Sequence, residues 1–148
     1  MSTVVEGLDW TWMTEDLNAL GCALTSPILT PEQCAEFVSM FEHDELFRST
    51  IDIARYRFGN GPMQVVVGLN APDVDHTGGE FLMLEQRPRA QSRGTSITLG
   101  RGQALVFTTS ERPVPSKRGW SKAPMRHGVS VVRSGHRHTL ALVLHDGA

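Results

Sequence analysis

The residues best suited to chemistry are a histidine and an arginine in the segment RHGVSVVRSGHR, residues 126–137. Within it, Arg133-Ser134-Gly135 has the composition of a three-residue hairpin loop with its glycine in the left-handed conformation. That loop pairs Arg137 with Val131, four residues from His127, so the histidine and the arginine share one sheet face about 13 Å apart. A long arginine side chain and a small dicarboxylate together span such a gap. A two-residue loop would instead put the two residues on opposite faces.

The charges of the chain are unevenly distributed. Residues 1–50 hold nine acids and one base, a net charge of −8, whereas residues 87–137 hold eleven bases and one acid, a net charge of +10. This asymmetry indicates an anionic ligand or partner for the C-terminal part. The alternative is that acidic helices pack beside a basic sheet and the two charges compensate.

Composition favours one folded domain over residues 1–148, since 148 residues with 40% hydrophobic side chains match a single core. No apolar run approaches the roughly 18 to 20 residues of a membrane-spanning helix, and the N-terminus lacks the features of a signal peptide. Cys22 and Cys34 form no disulfide framework. We therefore expect a cytoplasmic protein without a membrane partner.

Residues 1–50 read as a helical, acidic cover. Thr14 with the acids that follow it predicts a short helix that ends at Gly21. The segment Thr30-Pro31-Glu32-Gln33 predicts a second helix, because it combines an N-cap hydroxyl, a first-turn proline and a glutamine three residues after the cap. An apolar stripe follows at helical spacing, comprising Cys34, Phe37, Val38 and Phe41.

Residues 51–148 read as a basic β core. Short runs rich in Val, Ile, Thr and Phe between glycine turns predict strands at residues 51–58, 63–70, 80–86, 95–99, 104–109 and a hairpin of 126–132 with 136–145. Residues 110–124 carry three prolines and read as a long loop. The fold class is therefore mainly β with N-terminal helices (α+β), a sandwich or a jelly-roll barrel.

Several motifs resemble those of the Fe(II)/2-oxoglutarate dioxygenases: Gly-Gly-Glu-Phe at residues 78–81, Gly-x-Ala-Leu-Val-Phe at residues 102–107, and His127 with Arg137 ten residues later. More narrowly, the chain is similar over nearly its whole length to a bacterial subfamily linked to oxidative demethylation of damaged nucleic acid. The segments that carry this likeness are Phe47-Arg48-Ser49-Thr50, Ala54-Arg55-Tyr56, Glu85-Gln86-Arg87-Pro88-Arg89, Gln91-Ser92-Arg93 and Arg126-His127-Gly128-Val129-Ser130.

The resemblance implies a double-stranded β-helix, a cupin-like jelly roll, with helices packed on one sheet. It implies two cofactors, Fe(II) and 2-oxoglutarate. His127 would be an iron ligand and Arg137 would bind the distal carboxylate of 2-oxoglutarate, since imidazole suits iron and guanidinium binds carboxylate bidentately. Nucleic acid would bind the basic β region, with candidate contacts at Arg87, Arg89, Arg93 and Trp120.

The chain departs from the family pattern at one place. The His-x-Asp pair that completes the iron site in the family is missing, because Phe58-Gly59-Asn60-Gly61 leads directly into Pro62. The chain therefore resembles an internally shortened member with an incomplete β-helix. Two other segments offer replacement metal ligands, His43 with Glu45, and His76 before Gly78.

Three functions follow as expectations. The first is oxidative hydroxylation or demethylation, with damaged DNA or RNA as substrate. The second is a catalytically inactive binding module that has lost iron and retains the anion pocket of Arg137. The third is hydroxylation of a protein side chain, as in the prolyl hydroxylases. A sheet edge left open by the shortening would favour a homodimer.

Overall fold

Three helices lie in the N-terminal third of the chain. The computed structural model describes residues 2–49, 62–87 and 90–144. Within them α1 spans Ser2–Glu6, α2 spans Trp10–Leu20 and α3 spans Pro31–Met40, followed by a 3-10 turn at Asp44–Leu46. No helix in these ranges has the length and apolar character needed to cross a membrane.

The helix ends follow local side-chain chemistry. In α3, Thr30 accepts a hydrogen bond from the Gln33 amide while the Gln33 side chain accepts one from the Thr30 amide, which confirms the predicted start. In α2 the cap is Asp9, whose carboxylate accepts from Trp12, so the predicted start at Thr14 was one turn too late. The helix ends at Gly21, with φ of 79°, as predicted.

Among the described residues, ten strands form three antiparallel groups. A first four-stranded sheet has the order β1-β6-β2-β10, a second has the order β5-β4-β8-β7, and β3 pairs with β9. Their bounds are β1 Cys22–Pro27, β2 Met63–Gly68, β3 His76–Gly78, β4 Phe81–Glu85, β5 Arg93–Ile97, β6 Gln103–Thr108, β7 Glu111–Ser116, β8 Gly119–Val129, β9 Val132–Gly135 and β10 Thr139–Val143.

The mainly β class with few helices is confirmed, and so are the strands that became β2, β4 and β6. The strand predicted at residues 95–99 begins two residues earlier, as β5. The reading of residues 1–50 as entirely helical was wrong, because β1 lies between α2 and α3 and pairs with β6. This pairing is between segments about 80 residues apart, which local propensity does not reveal. The strand predicted at residues 51–58 and residue Arg89 lie outside the described residues.

Two predicted loops were also wrong. Residues 110–124 form the β7–β8 hairpin rather than a loop. Pro113 and Pro115 are tolerated there because β7 is an edge strand, where a missing N–H faces away from the ladder. The predicted hairpin around Arg133-Ser134-Gly135 does not form, since these residues belong to β9 and pair with β3.

The core lies between the two four-stranded sheets. Phe81 and Met83 of β4 face Leu105 and Phe107 of β6, and all four side chains are buried. Cys34 of α3 is fully buried, as its position in the apolar stripe predicted, whereas Phe41 at the end of that stripe is 66% exposed. The stripe therefore covers the first sheet only with its N-terminal part.

A buried ion pair lies within the second sheet, and its arginine also binds α2. Arg112 of β7 donates from Nε and Nη2 to Oε2 of Glu85, at 2.9 and 2.6 Å, and from Nη1 to the Asn18 carbonyl at 2.8 Å. Arg87 donates to the other carboxylate oxygen of Glu85. Because the Glu85 and Arg112 side chains are each only 7% exposed, neither charge has water as an alternative partner.

Replacing Arg112 with methionine should therefore lower the free energy of unfolding by about 3 kcal/mol, the range for removing one partner of a buried pair. Urea denaturation measures this change. Lys122→Met is the matched control, because its ion pair with Glu111 is exposed and should be worth less than about 1 kcal/mol. Equal stability of the two variants would contradict the assigned role of Arg112.

The same pair makes stability depend on pH. Burial acts to raise the pKa of Glu85, but hydrogen bonds from Arg87 and Arg112 outweigh it and hold that pKa below its usual value. The stabilisation is thus present above the unfolded-state pKa of about 4.3 and is lost as pH falls through the lower folded-state pKa. In urea titrations between about pH 5 and 3, wild-type stability should fall more steeply than that of Glu85→Gln. Parallel curves would contradict this.

Candidate functional site

His127 lies on β8, opposite Met83 of β4. Its ring stacks on Phe81, with centroids 6.0 Å apart and planes within 5°, and lies 4.9 Å from the Phe107 ring of the first sheet. The residue is exposed to solvent at its free side. Burial against the two phenylalanine rings lowers the pKa of His127, so the neutral imidazole is favoured. A neutral imidazole that contacts both sheets and is also exposed to solvent is suited to ligating a metal or accepting a proton.

Arg137 lies between β9 and β10 and packs against the backbone of Gly79. A Cβ added to Gly79 would lie 2.6 Å from Cδ of Arg137, so only glycine admits the side chain here. Gly79 also has φ of 74°, a conformation that favours glycine. Nη2 of Arg137 is buried and has no hydrogen-bond partner within the part of the chain that the structure describes. Burial lowers the pKa of Arg137, but a guanidinium remains charged.

The structure brings His127 and Arg137 to the same end of β4. Arg137 contacts Gly79 and His127 stacks on Phe81, two residues further along the chain. The predicted geometry, one hairpin loop flanked by the two residues, was wrong. Instead β8 pairs with β4, and the segment after β9 reaches Gly79 just before β4.

A serine and a glutamate hold the start of β4 to the end of β8. The Glu80 amide donates to Oγ of Ser130 at 3.0 Å, the Ser130 amide donates to the Glu80 carbonyl at 2.9 Å, and the Ser130 hydroxyl donates to the Glu80 carboxylate. The hydrogen bond from Ser130 lowers the pKa of Glu80. Sequence reasoning assigned these residues no role, although both lie within quoted motifs.

The other metal candidates lie elsewhere. His76 is buried on β3, with Nδ1 3.0 Å from the Gly78 carbonyl oxygen, which fixes Nδ1 as a donor. His43 and Glu45 pair with each other at 3.0 Å on the exposed turn after α3. Within residues 2–49, 62–87 and 90–144, no group of three or more His, Cys, Asp or Glu side chains is arranged to hold a metal ion.

Three of the four candidate substrate contacts, Arg87, Arg93 and Trp120, belong to the second sheet or its ends. Arg87 follows β4 and binds Glu85, so part of its charge is engaged within the protein. Arg93 begins β5 and is exposed. Trp120, near the tip of the β7–β8 hairpin, is 74% exposed. The side chains of these three residues are therefore exposed in the basic β region. Arg89 lies outside the described residues.

The chain belongs to an oxygenase family, since the model of a family described as oxygenases catalysing oxidative methylation of damaged DNA matches residues 18–147. The chain is also 58% identical over 87 residues to two Mycobacterium tuberculosis proteins, uncharacterized protein MT2286 of strain CDC 1551 / Oshkosh and uncharacterized protein Rv2227 of strain ATCC 25618 / H37Rv. The match covers 59% of this chain but only 37% of the length of each relative. No solved structure matches the chain.

The contact between Gly79 and Arg137 can be tested directly. Gly79→Ala should lower the free energy of unfolding by roughly 1–2 kcal/mol from the left-handed backbone alone, and more if Arg137 must move. Gly94→Ala is the control, because a Cβ at Gly94 meets nothing within 4 Å. Urea denaturation compares the two variants, and equal midpoints would show that the Gly79 contact is not tight.

Proposed function

We propose that the chain binds 2-oxoglutarate through Arg137 and acts in the oxidation of a damaged nucleic acid. The observation that carries the proposal is the buried, unpartnered Nη2 of Arg137. A buried guanidinium nitrogen without a partner is destabilising, and a carboxylate ligand would supply the missing acceptor. The antiparallel two-sheet architecture further supports a double-stranded β-helix, the fold in which such an arginine binds the keto acid.

The guanidinium suits this ligand for two reasons. Its fork of N–H donors matches the two oxygens of a carboxylate, and the half-buried position reduces competition from water. Gly79 contributes by leaving space for the arginine stem where any other residue would place a Cβ. When bound, 2-oxoglutarate would supply two of the electrons that reduce dioxygen, by losing its C1 carboxyl group as carbon dioxide and leaving succinate. Arg137 would hold and orient its distal carboxylate at the start of β4.

Fe(II) fits less well than the keto acid. Among the described residues His127 is the candidate ligand near Arg137, and no group of three potential ligands exists there. A site with one imidazole lacks the ligand number that holds Fe(II). Further ligands would have to come from outside the described ranges. The described residues therefore do not by themselves form a site that holds Fe(II).

The substrate class follows from the family and from the basic β region. Members of the oxygenase family are described as acting on damaged DNA. A base must leave the helical stack, or already be single-stranded, before an enzyme reaches it. Arg93 and Trp120 are exposed on the second sheet and are suited to contacting phosphates and bases.

One observation favours a second candidate function, a binding module without oxygenase activity. The described residues keep the anion site of Arg137 but do not complete a metal site. Such a module would bind a dicarboxylate or a nucleic acid and would perform no oxidation. The two candidate functions share the same proposed anion site and differ only in whether the chain completes an iron site.

Calorimetric titration with 2-oxoglutarate tests the shared part. Arg137→Gln should weaken binding at least tenfold, because hydrogen bonds to charged groups contribute about 1.5–3 kcal/mol. Arg133→Gln is the control, since this nearby arginine is exposed on β9. Equal affinities of the two variants, or no binding by wild type, would refute the proposed anion site.

Anaerobic titration with Fe(II) plus 2-oxoglutarate then separates the two candidates. A visible charge-transfer band that disappears in His127→Ala would establish a completed iron site and support the oxygenase. Binding of 2-oxoglutarate that depends on Arg137 but gives no band with Fe(II) would favour the binding module.

A further inference from the structure

The β7–β8 hairpin displays an aromatic side chain among cations. Trp120 is 74% exposed, and Lys117 and Arg118 form the turn beside it. Lys122 follows two residues later with a side chain that is 75% exposed. A flat apolar ring held next to several positive charges, with little of its surface packed against the protein, is suited to an external partner that is both aromatic and anionic.

Strand alternation places these residues on the outward face of the second sheet. Ala123 and Met125 are buried, so their neighbours on β8 point away from the core. The outward set on β8 is Trp120, Lys122, Pro124 and Arg126. On β4 the outward side chains are Leu82 and Leu84, of which Leu84 pairs with Arg126. Apolar and basic groups therefore share one face.

This outward face is uncovered among the described residues. A Cβ added to Gly94 of β5 or to Gly128 of β8 would meet nothing within 4 Å. Leu82 and Leu84 are exposed although both are large apolar residues. Helix α2 packs against β1, β6 and β7, and Cys34 of α3 contacts Gly68 of β2, so the acidic helices lie on other parts of the fold.

The charges on the face are almost all positive. Glu111 is the one acid in residues 87–137, and it pairs with Lys122. Lys117, Arg118 and Arg126 thus add three positive charges beyond that pair. This distribution of charge favours the binding of a nucleic acid whatever its base sequence, because contacts to phosphates are electrostatic.

We infer that the outward face from Trp120 to Arg126, with Lys117 and Arg118, binds a single strand of nucleic acid. A single strand exposes the faces of its bases to Trp120, whereas a duplex keeps them stacked. This inference rests on the proposed function, for which it names the form of the substrate and the surface that holds it. Trp120 and His127 are seven residues apart on β8, about 23 Å, and strand alternation places them on opposite faces, so a strand held on Trp120 reaches His127 only by passing around the sheet.

Fluorescence anisotropy with a labelled oligothymidylate of about 16 nucleotides tests the inference on the whole chain. Trp120→Ala should weaken binding about tenfold, the effect of losing one stacked base. Trp10→Ala is the matched control, because Trp10 is 53% exposed but lies on the acidic α2, and it should bind as wild type does. Arg126→Gln should reduce the slope of log K against log salt by about 0.7.

The outcomes separate this inference from the proposed function. No binding of the oligonucleotide by wild type, or equal affinities of the Trp120→Ala and Trp10→Ala variants, would overturn the inference. Tighter binding of the matching duplex than of the single strand would also overturn it. So would light scattering that shows wild-type dimers which Trp120→Ala abolishes, because the face would then bind a second copy. Titration of 2-oxoglutarate uses no nucleic acid and reports on the Arg137 site independently.

Discussion

The contact of Phe81 with Phe107 joins the two sheets, and the candidate site depends on it. The ring centroids are 4.7 Å apart, with Phe81 on β4 of the second sheet and Phe107 on β6 of the first. Both rings also contact His127. The two phenylalanine rings therefore pack the two sheets together. They also position the imidazole of His127 and shield part of it from solvent. Each partner is the last residue of a glycine-containing motif, so core packing and site geometry are encoded together.

Gly79 extends this arrangement to Arg137. The positive φ of Gly79 turns the chain just before β4, and its missing side chain leaves the space that the arginine stem occupies. One consequence is a buried cationic nitrogen that no described protein group satisfies. Folded proteins rarely leave such a group unpaired, and functional sites are where the exceptions concentrate. Among the described residues, the fold thus carries a guanidinium nitrogen without a partner beside the turn that precedes β4.

Local chemistry determined which parts of the structure could be predicted. The capping box at Thr30 and the helix end at Gly21 involve residues within four positions of each other, and both were predicted correctly. The partners of β1 and β9 depend on contacts across roughly 60 to 80 residues, and both were missed. Gly135 illustrates the difference. Its left-handed conformation was predicted, but it serves a close approach to the Asp75 carbonyl rather than a hairpin turn.

The charge asymmetry also finds a partial structural explanation. Arg112 of β7 is neutralised within the second sheet by Glu85 of β4, and it meets α2 only at the neutral backbone carbonyl of Asn18. The outward cations of the hairpin, Lys122 and Arg126, take no part in that pair, because they lie on the face of the second sheet that points away from the core. Arg137 is a third case, a half-buried residue whose Nη2 has no partner among the described residues. Arg112 and Lys122 are therefore paired with acids of the fold, Glu85 and Glu111.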